Sequence, residues 1–252
     1  MTNMLKPEYE TYQDVKDTLA RWTVPVWFCV LASFWYVVLL PAHRNAVTQL
    51  PGMESWVRQV GPIAAMVVLS MLVAHLMTHI LEVHDHVYDR FVIRWRYHYA
   101  RDKIIPKLLS PYKENLPEGF CAQAASSTRE SLRRLFYPFA GDRDPQISQN
   151  LLVRFYERVT KYWFLQMNEV ALLILVFGSG IYASPFLGWP WPSRFCWLTL
   201  VVAVLFTLNR LLAVPARRSV WKATEAEIEA IHTECEDSFE EALNGLVEDY
   251  GF

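Results

Sequence analysis

His75, His79, Glu82, His86 and Asp89 follow one another at intervals of four, three, four and three residues. On a helix that spacing gathers them on one face as a polar stripe. Presented by several copies to a shared axis, His75, His79 and Glu82, with His86 beyond them, would line a pore, and the ring of Glu82 carboxylates would attract cations. Imidazoles titrating near neutral pH would also pass protons along it. His75 and His79, four apart with Glu82 nearby, have spacing that suits zinc or iron as well. The structural alternative is hydrogen bonding to neighbouring helices, worth about 0.6–2 kcal/mol each in a membrane. We read the stripe as a pore or gate lining and expect no bound metal or cofactor.

A second constellation lies just beyond. Arg90, Arg94, Arg96, His98, Arg101 and Lys103 are interleaved with Trp95, Tyr97 and Tyr99. Arginine forks grip phosphate and aromatic rings stack on bases, so a nucleotide or short oligonucleotide would suit this segment. Arg129, Arg133 and Arg134 would complete such a pocket. Two other uses compete. Basic residues beside an apolar run touch anionic lipid, and the segment from Glu225 to Asp249, with ten acids and no Lys or Arg, offers partners. A third polar set, Gln166, Asn168, Glu169, Asn209 and Arg210, sits inside apolar sequence. There a Glu169–Arg210 pair would lower the cost of both charges, and Asn168, Glu169 and Arg210 are further gate candidates.

The elements that must carry these residues are apolar. The chain has 252 residues, 53% of them hydrophobic. Thr23–Ala42, Gly61–Leu81, Val170–Leu187 and Phe195–Asn209 contain no Asp, Glu, Lys or Arg. A helix of about 20 apolar residues crosses a bilayer, so we expect four spans, with tryptophans near their ends. Residues 1–23 hold three Lys/Arg and 83–163 hold fourteen, whereas the connections at 43–60 and 188–194 hold only Arg44, Arg58 and Arg194. The excess of positive charge places both termini and the middle segment in the cytoplasm of a bacterial inner-membrane protein.

The fold class expected is an all-α integral membrane protein, with long helices continuing into a cytoplasmic helical stalk or bundle. Its parts are an N-terminal segment at 1–22, transmembrane hairpins at 23–84 and 163–214, a cytoplasmic helical domain at 85–162 and an acidic C-terminal helix at 215–252. No Gly or Pro interrupts 63–105, which predicts one helix from Pro62 to Ile105, about 65 Å long. Asp144-Pro145 predicts the start of the third long helix and Ser193 that of the fourth, with a kink at Pro215. One short helix is expected over 122–136. Ile228, Ile231, Cys235, Phe239, Ala242 and Leu246 form a stripe suited to helix packing.

Gly-rich phosphate loops, Gly-x-Ser-x-Gly, His-Glu-x-x-His and CxxC are all missing from the sequence, which argues against soluble-enzyme chemistry. The four cysteines have no metal spacing and read as free thiols. The leading expectation is a homo-oligomeric channel or pore-forming effector of four or more copies, gated through its cytoplasmic domain. The layout is similar to stator-type proton channel subunits, and it looks like the small membrane effectors of bacterial antiviral systems. That resemblance is architectural and implies ion passage or membrane leakage as the output in antiviral defence, while gating by a nucleotide or oligonucleotide signal is expected from the basic segment. The alternatives are a membrane metalloenzyme or proton-coupled subunit using the His/Glu cluster, and a non-conducting scaffold for a cytoplasmic partner protein.

Overall fold

The computed structural model describes residues 11–34, 55–83, 99–141, 145–182 and 193–252. Among them the regular structure is entirely helical. Helix α1 (Tyr12–Phe34) starts from a reciprocal cap in which the Thr11 amide donates to Asp14 Oδ2 at 2.8 Å and the Asp14 amide to Thr11 Oγ1 at 3.4 Å. Helix α2 (Ser55–His75) passes into a π-helical turn, Leu76–Ile80, closed by the Leu81 amide on the Leu76 carbonyl at 2.9 Å. After a second π turn (Ala100–Ile104) come α3 (Ile105–Leu109), a 3-10 turn (Ser110–Tyr112), α4 (Phe120–Ser126), α5 (Thr128–Leu135) and α6 (Tyr137–Ala140). Helices α7 (Gln149–Tyr182), α8 (Ser193–Glu234) and α9 (Glu236–Asp249) complete the chain.

Several boundaries differ from the sequence expectation. Helix α2 begins at Ser55, so Gly61 and Pro62 lie within it. The unbroken rod from Pro62 to Ile105 does not form. The helical pattern ends at Leu81, and Glu82 takes φ 42°, a left-handed backbone that non-glycine residues rarely adopt. Helix α7 starts at Gln149 instead of Pro145, and the amides of Gln146 and Ile147 ahead of it donate to the Phe139 carbonyl at 3.0 and 3.3 Å. The helix expected over 122–136 is divided at Ser127, whose φ −94° and ψ 42° are not helical. Helix α8 does begin at Ser193, and Pro215 lies inside it without ending it. In the tail, Ile228, Ile231, Cys235, Phe239 and Leu246 are buried as the stripe requires, while Cys235 breaks the segment into two helices.

The chain divides into two compact units. The first, here the apolar unit, comprises Lys16–His84 and Tyr162–Pro215. Its interior holds Leu19, Trp27, Tyr162, Met167 and Ala171 together with polar Thr18, Ser70, Thr78, Gln166, Glu169 and Asn209. Its surface is apolar: Val68, Met71 and Leu72 on α2, Ile80 in the π turn after it, Phe177 on α7, and Leu200, Leu205, Leu211 and Leu212 on α8 are all exposed. Hydroxyls inside the helices bond back to their own backbone, as Ser70 does to Met66 at 2.5 Å and Thr207 to Ala203 at 2.8 Å. Two helices of the described residues are long and apolar enough to cross a membrane: α2, over Ile63–Ile80, and α8, whose apolar part ends before Arg217.

The polar unit comprises Met1–Val15, Asp85–Lys161 and Ala216–Phe252. Its core is a conventional one, built from Ile105, Leu108, Phe120, Leu135, Phe139, Leu152, Ile231, Phe239 and Leu246. Phe239 lies between Tyr112, with ring centroids 5.5 Å apart, and Phe139 at 5.8 Å. His232 Nε2 meets the Leu108 carbonyl at 2.9 Å. Gly141 is required: a Cβ there would collide with the Tyr137 carbonyl oxygen.

Candidate functional site

The polar stripe of α2 meets α1 inside the apolar unit. Lys16 and Asp17 are consecutive on α1, and each takes one partner from the end of α2. Lys16 Nζ pairs with Glu82 Oε1, and His79 Nε2 lies 3.3 Å from Asp17 Oδ1. The His75 ring stacks on that of His79 at 4.5 Å between centroids, with 29° between the planes. Two local features place these groups. The π turn lengthens the turn that carries His79, and the left-handed Glu82 ends the helix so that its carboxylate faces back to Lys16. The side chains of Lys16 and His79 are 13% and 12% exposed, so both pairs are shielded on one side. His79 and Glu82 are thus engaged with α1, while His75 is exposed. His86 and Asp89, the rest of the stripe, lie outside the described residues.

A second polar cluster lies between α7 and α8 in the same unit. Glu169 is 1% exposed, and its Oε1 lies 3.2 Å from Arg210 Nε in an ion pair and accepts a hydrogen bond from Asn209 Nδ2 at 3.2 Å. Asn209 Nδ2 also donates to the Leu165 carbonyl at 2.7 Å, which bridges the two helices. The pair expected from the matched depth of Glu169 and Arg210 is present. The second oxygen of Glu169 and the side-chain oxygen of Asn168 are buried with no hydrogen-bond partner among the described residues. Arg210 is half-exposed and packs over Phe206 at 5.4 Å, where its aliphatic stem can reach outward.

The basic candidates of the polar unit do not form one pocket. Arg101 binds its neighbour Asp102 at 2.7 Å, and Lys103 is exposed on the same π turn. Arg134 ties α5 to α9 through Asp249 at 2.8 Å, with Glu130 at 3.3 Å, so it is a structural link and not a free ligand arm. Arg129 and Arg133 do line a cleft of about 560 Å³ with Ser126, Ser127, Thr128 and Glu130. Arg90, Arg94, Arg96 and His98 lie outside the described residues. The alternative use of basic charge, pairing with the acidic tail, is realised by Arg134–Asp249 and by Lys107–Glu225 at 2.7 Å.

Three important groups escaped the sequence reading. Lys16 and Asp17 precede the first apolar run, and only their position one or two turns ahead of it marks them as partners for a buried stripe. Glu227 reads as one more acid on a solvated face, yet it is 1% exposed, and its Oε1 has no hydrogen-bond partner among the described residues. Burial pushes its carboxyl well above the usual carboxylate range. Among the described residues no three His, Cys, Asp or Glu side chains converge as a metal site would need.

One comparison decides the family: the YmfE protein family profile matches residues 11–244, nearly the whole chain. The chain belongs to the YmfE family. No curated protein and no solved structure matches it. The matched span covers both units, including α1 with Lys16 and Asp17, the stripe of α2 and the Glu169–Arg210 pair.

Proposed function

We propose that this YmfE-family chain is a four-span bacterial inner-membrane protein that assembles as a homo-oligomer and conducts ions under control of its cytoplasmic polar unit. One observation carries the reading. The apolar unit holds two partly shielded ionic clusters, Lys16/Asp17 with His79/Glu82 and Glu169 with Asn209/Arg210, beside an exposed surface of Leu, Val, Ile and Phe. Exposed apolar patches of this extent are unfavourable in water and natural against lipid tails. Ionisable groups kept in such surroundings are costly and are found at ion paths, relays and gates. In this reading α1 and α2 are the moving parts, and breaking the Lys16–Glu82 and His79–Asp17 contacts frees the stripe to line a shared axis. Arg129 and Arg133, at their cleft in the polar unit, are the receiving groups for a nucleotide signal.

The test is ion flux across vesicles containing the purified full-length chain. Flux that changes with Glu82→Gln and Glu169→Gln supports the channel. Absence of flux, with a monomeric or dimeric particle, rejects it. The second reading is a non-conducting membrane scaffold, favoured by the fact that His79 and Glu82 already have partners within the chain. It predicts that Glu82→Gln alters stability and leaves permeability at the level of empty vesicles.

A further inference from the structure

The cations that follow the apolar part of α8 take no part in the contacts described above. Arg217, Arg218 and Lys222 are exposed, and none has an ion-pair partner among the described residues. No acid occurs from Ala216 to Thr224. On α7, Arg158 Nη1 donates to the Ser219 carbonyl at 3.1 Å, which sets the two helix segments side by side. Arg154 and Lys161 are exposed nearby in sequence, and Lys161 has Glu157 as an i,i+4 partner at 2.8 Å. Such an exposed pair contributes little and leaves the ammonium available. The result is a cationic band across residues 149–161 of α7 and 216–224 of α8.

The position of the band along α8 matters as much as its charge. Leu208, Leu211, Leu212 and Val214, all exposed, come directly before it. At about 1.5 Å per residue, Leu211 and Leu212 are about 9 Å along the axis from Arg217 and Arg218. A bilayer has a hydrocarbon core of about 30 Å within about 40–45 Å in total, so each headgroup layer is about 5–8 Å deep. When acyl chains meet Leu211 and Leu212, phosphates lie level with Arg217 and Arg218, and Lys222, about 6–8 Å farther along the axis, extends its side chain back toward them. Trp221 is held within the band by Tyr99, edge-on at 4.9 Å, and by Lys107 at 5.8 Å over its ring. An indole at that level suits the interface.

We infer that this band binds the headgroup phosphates of anionic phospholipids. Arginine forks would hold phosphate oxygens in pairs while the adjoining leucines meet the chains. The inference rests on the membrane reading and adds lipid selectivity to it.

The test uses the full-length chain in phosphatidylcholine vesicles containing a minor fraction of phosphatidylglycerol. Bromine on the chains of one lipid or the other reports, by tryptophan quenching, which is enriched around the protein. The expected result is a preference of about threefold or more for phosphatidylglycerol, falling toward parity in an R217Q/R218Q/K222Q variant. The wild-type preference should also shrink at about 0.5 M NaCl, where the screening length is roughly 4 Å. Parity in the wild type, or an unchanged preference in the variant, overturns the inference. If the triple variant does not insert, Arg218→Gln and the wild-type salt series decide by the same criterion. Extraction of the wild type by alkaline carbonate would instead overturn the membrane reading, and the lipid site with it.

Discussion

The two units invert one another. Among the described residues every exposed large hydrophobic side chain except Tyr137 and Phe252 belongs to the apolar unit, and Glu169 and Asn209 are buried there. In the polar unit Phe120, Leu135, Phe139 and Phe239 are buried, and most acids of the tail are exposed. The same helices, α7 and α8, supply residues to both. Helix formation is therefore common to the two, and what differs is the solvent each surface is built for. Hydrophobic burial stabilises the polar unit in the ordinary way. In the membrane reading proposed above, the apolar unit relies on close packing and on its polar contacts.

Matched truncations would expose that difference most strongly. Phe239→Ala should destabilise the polar unit by about 3–5 kcal/mol, because it removes a ring enclosed by Tyr112, Phe139 and His232. Leu205→Ala, on the outside of α8, should change stability by less than about 0.5 kcal/mol in lipid or detergent. Denaturant unfolding of each variant measures both, and equal losses would break the comparison. Next in size is Arg210→Ala, which leaves Glu169 buried with only Asn209. We expect a loss of about 2–3 kcal/mol, with Glu169→Gln in the same chain restoring most of it. No recovery in the double variant would show that the pair is not what holds α7 to α8 at this depth.

The polar unit contains one exception to its own pattern. Glu227 is buried there with its carboxyl raised, so the folded state favours the proton. Its contribution to stability is complete below the unfolded value of about 4.3 and is lost as pH rises toward the folded value. Glu227→Met should therefore be more stable to unfolding than wild type at pH 8, by roughly 1–3 kcal/mol, with the gap closing as pH falls toward about 4. A gap independent of pH would mean that Glu227 is already ionised and paired. The smallest expected effect is at the α1–α2 contact. Asp17→Asn removes the half-exposed partner of His79 and should cost at most about 1 kcal/mol, less at high salt.

Much of the helical layout could be read from the chain, because apolar run length and local caps decide it. Ser193 does open α8, and Ile228, Ile231, Phe239 and Leu246 are buried as their spacing requires. The Glu169–Arg210 contact followed from two charges at the same expected depth. The end of α2 was hidden because no Gly or Pro marks Glu82, whose backbone is tied to a contact with Lys16, 66 residues away. The start of α7 was hidden for a similar reason: the segment after Pro145 is tied to the Phe139 carbonyl, a contact that no local cap signal announces. Glu227 was disguised by its acidic neighbours, since composition cannot tell which carboxylate turns inward.

The π turn at Leu76–Ile80 also has a consequence for how this chain tolerates change. It holds one residue more than an α-helical turn would, so it is a place where sequence length can vary without unravelling the helix. Loss of a single residue there would let the segment relax to ordinary winding. Because the extra residue is absorbed within that turn, the side chains just after it would keep their face, and the Glu82 carboxylate would stay within reach of its amine on α1.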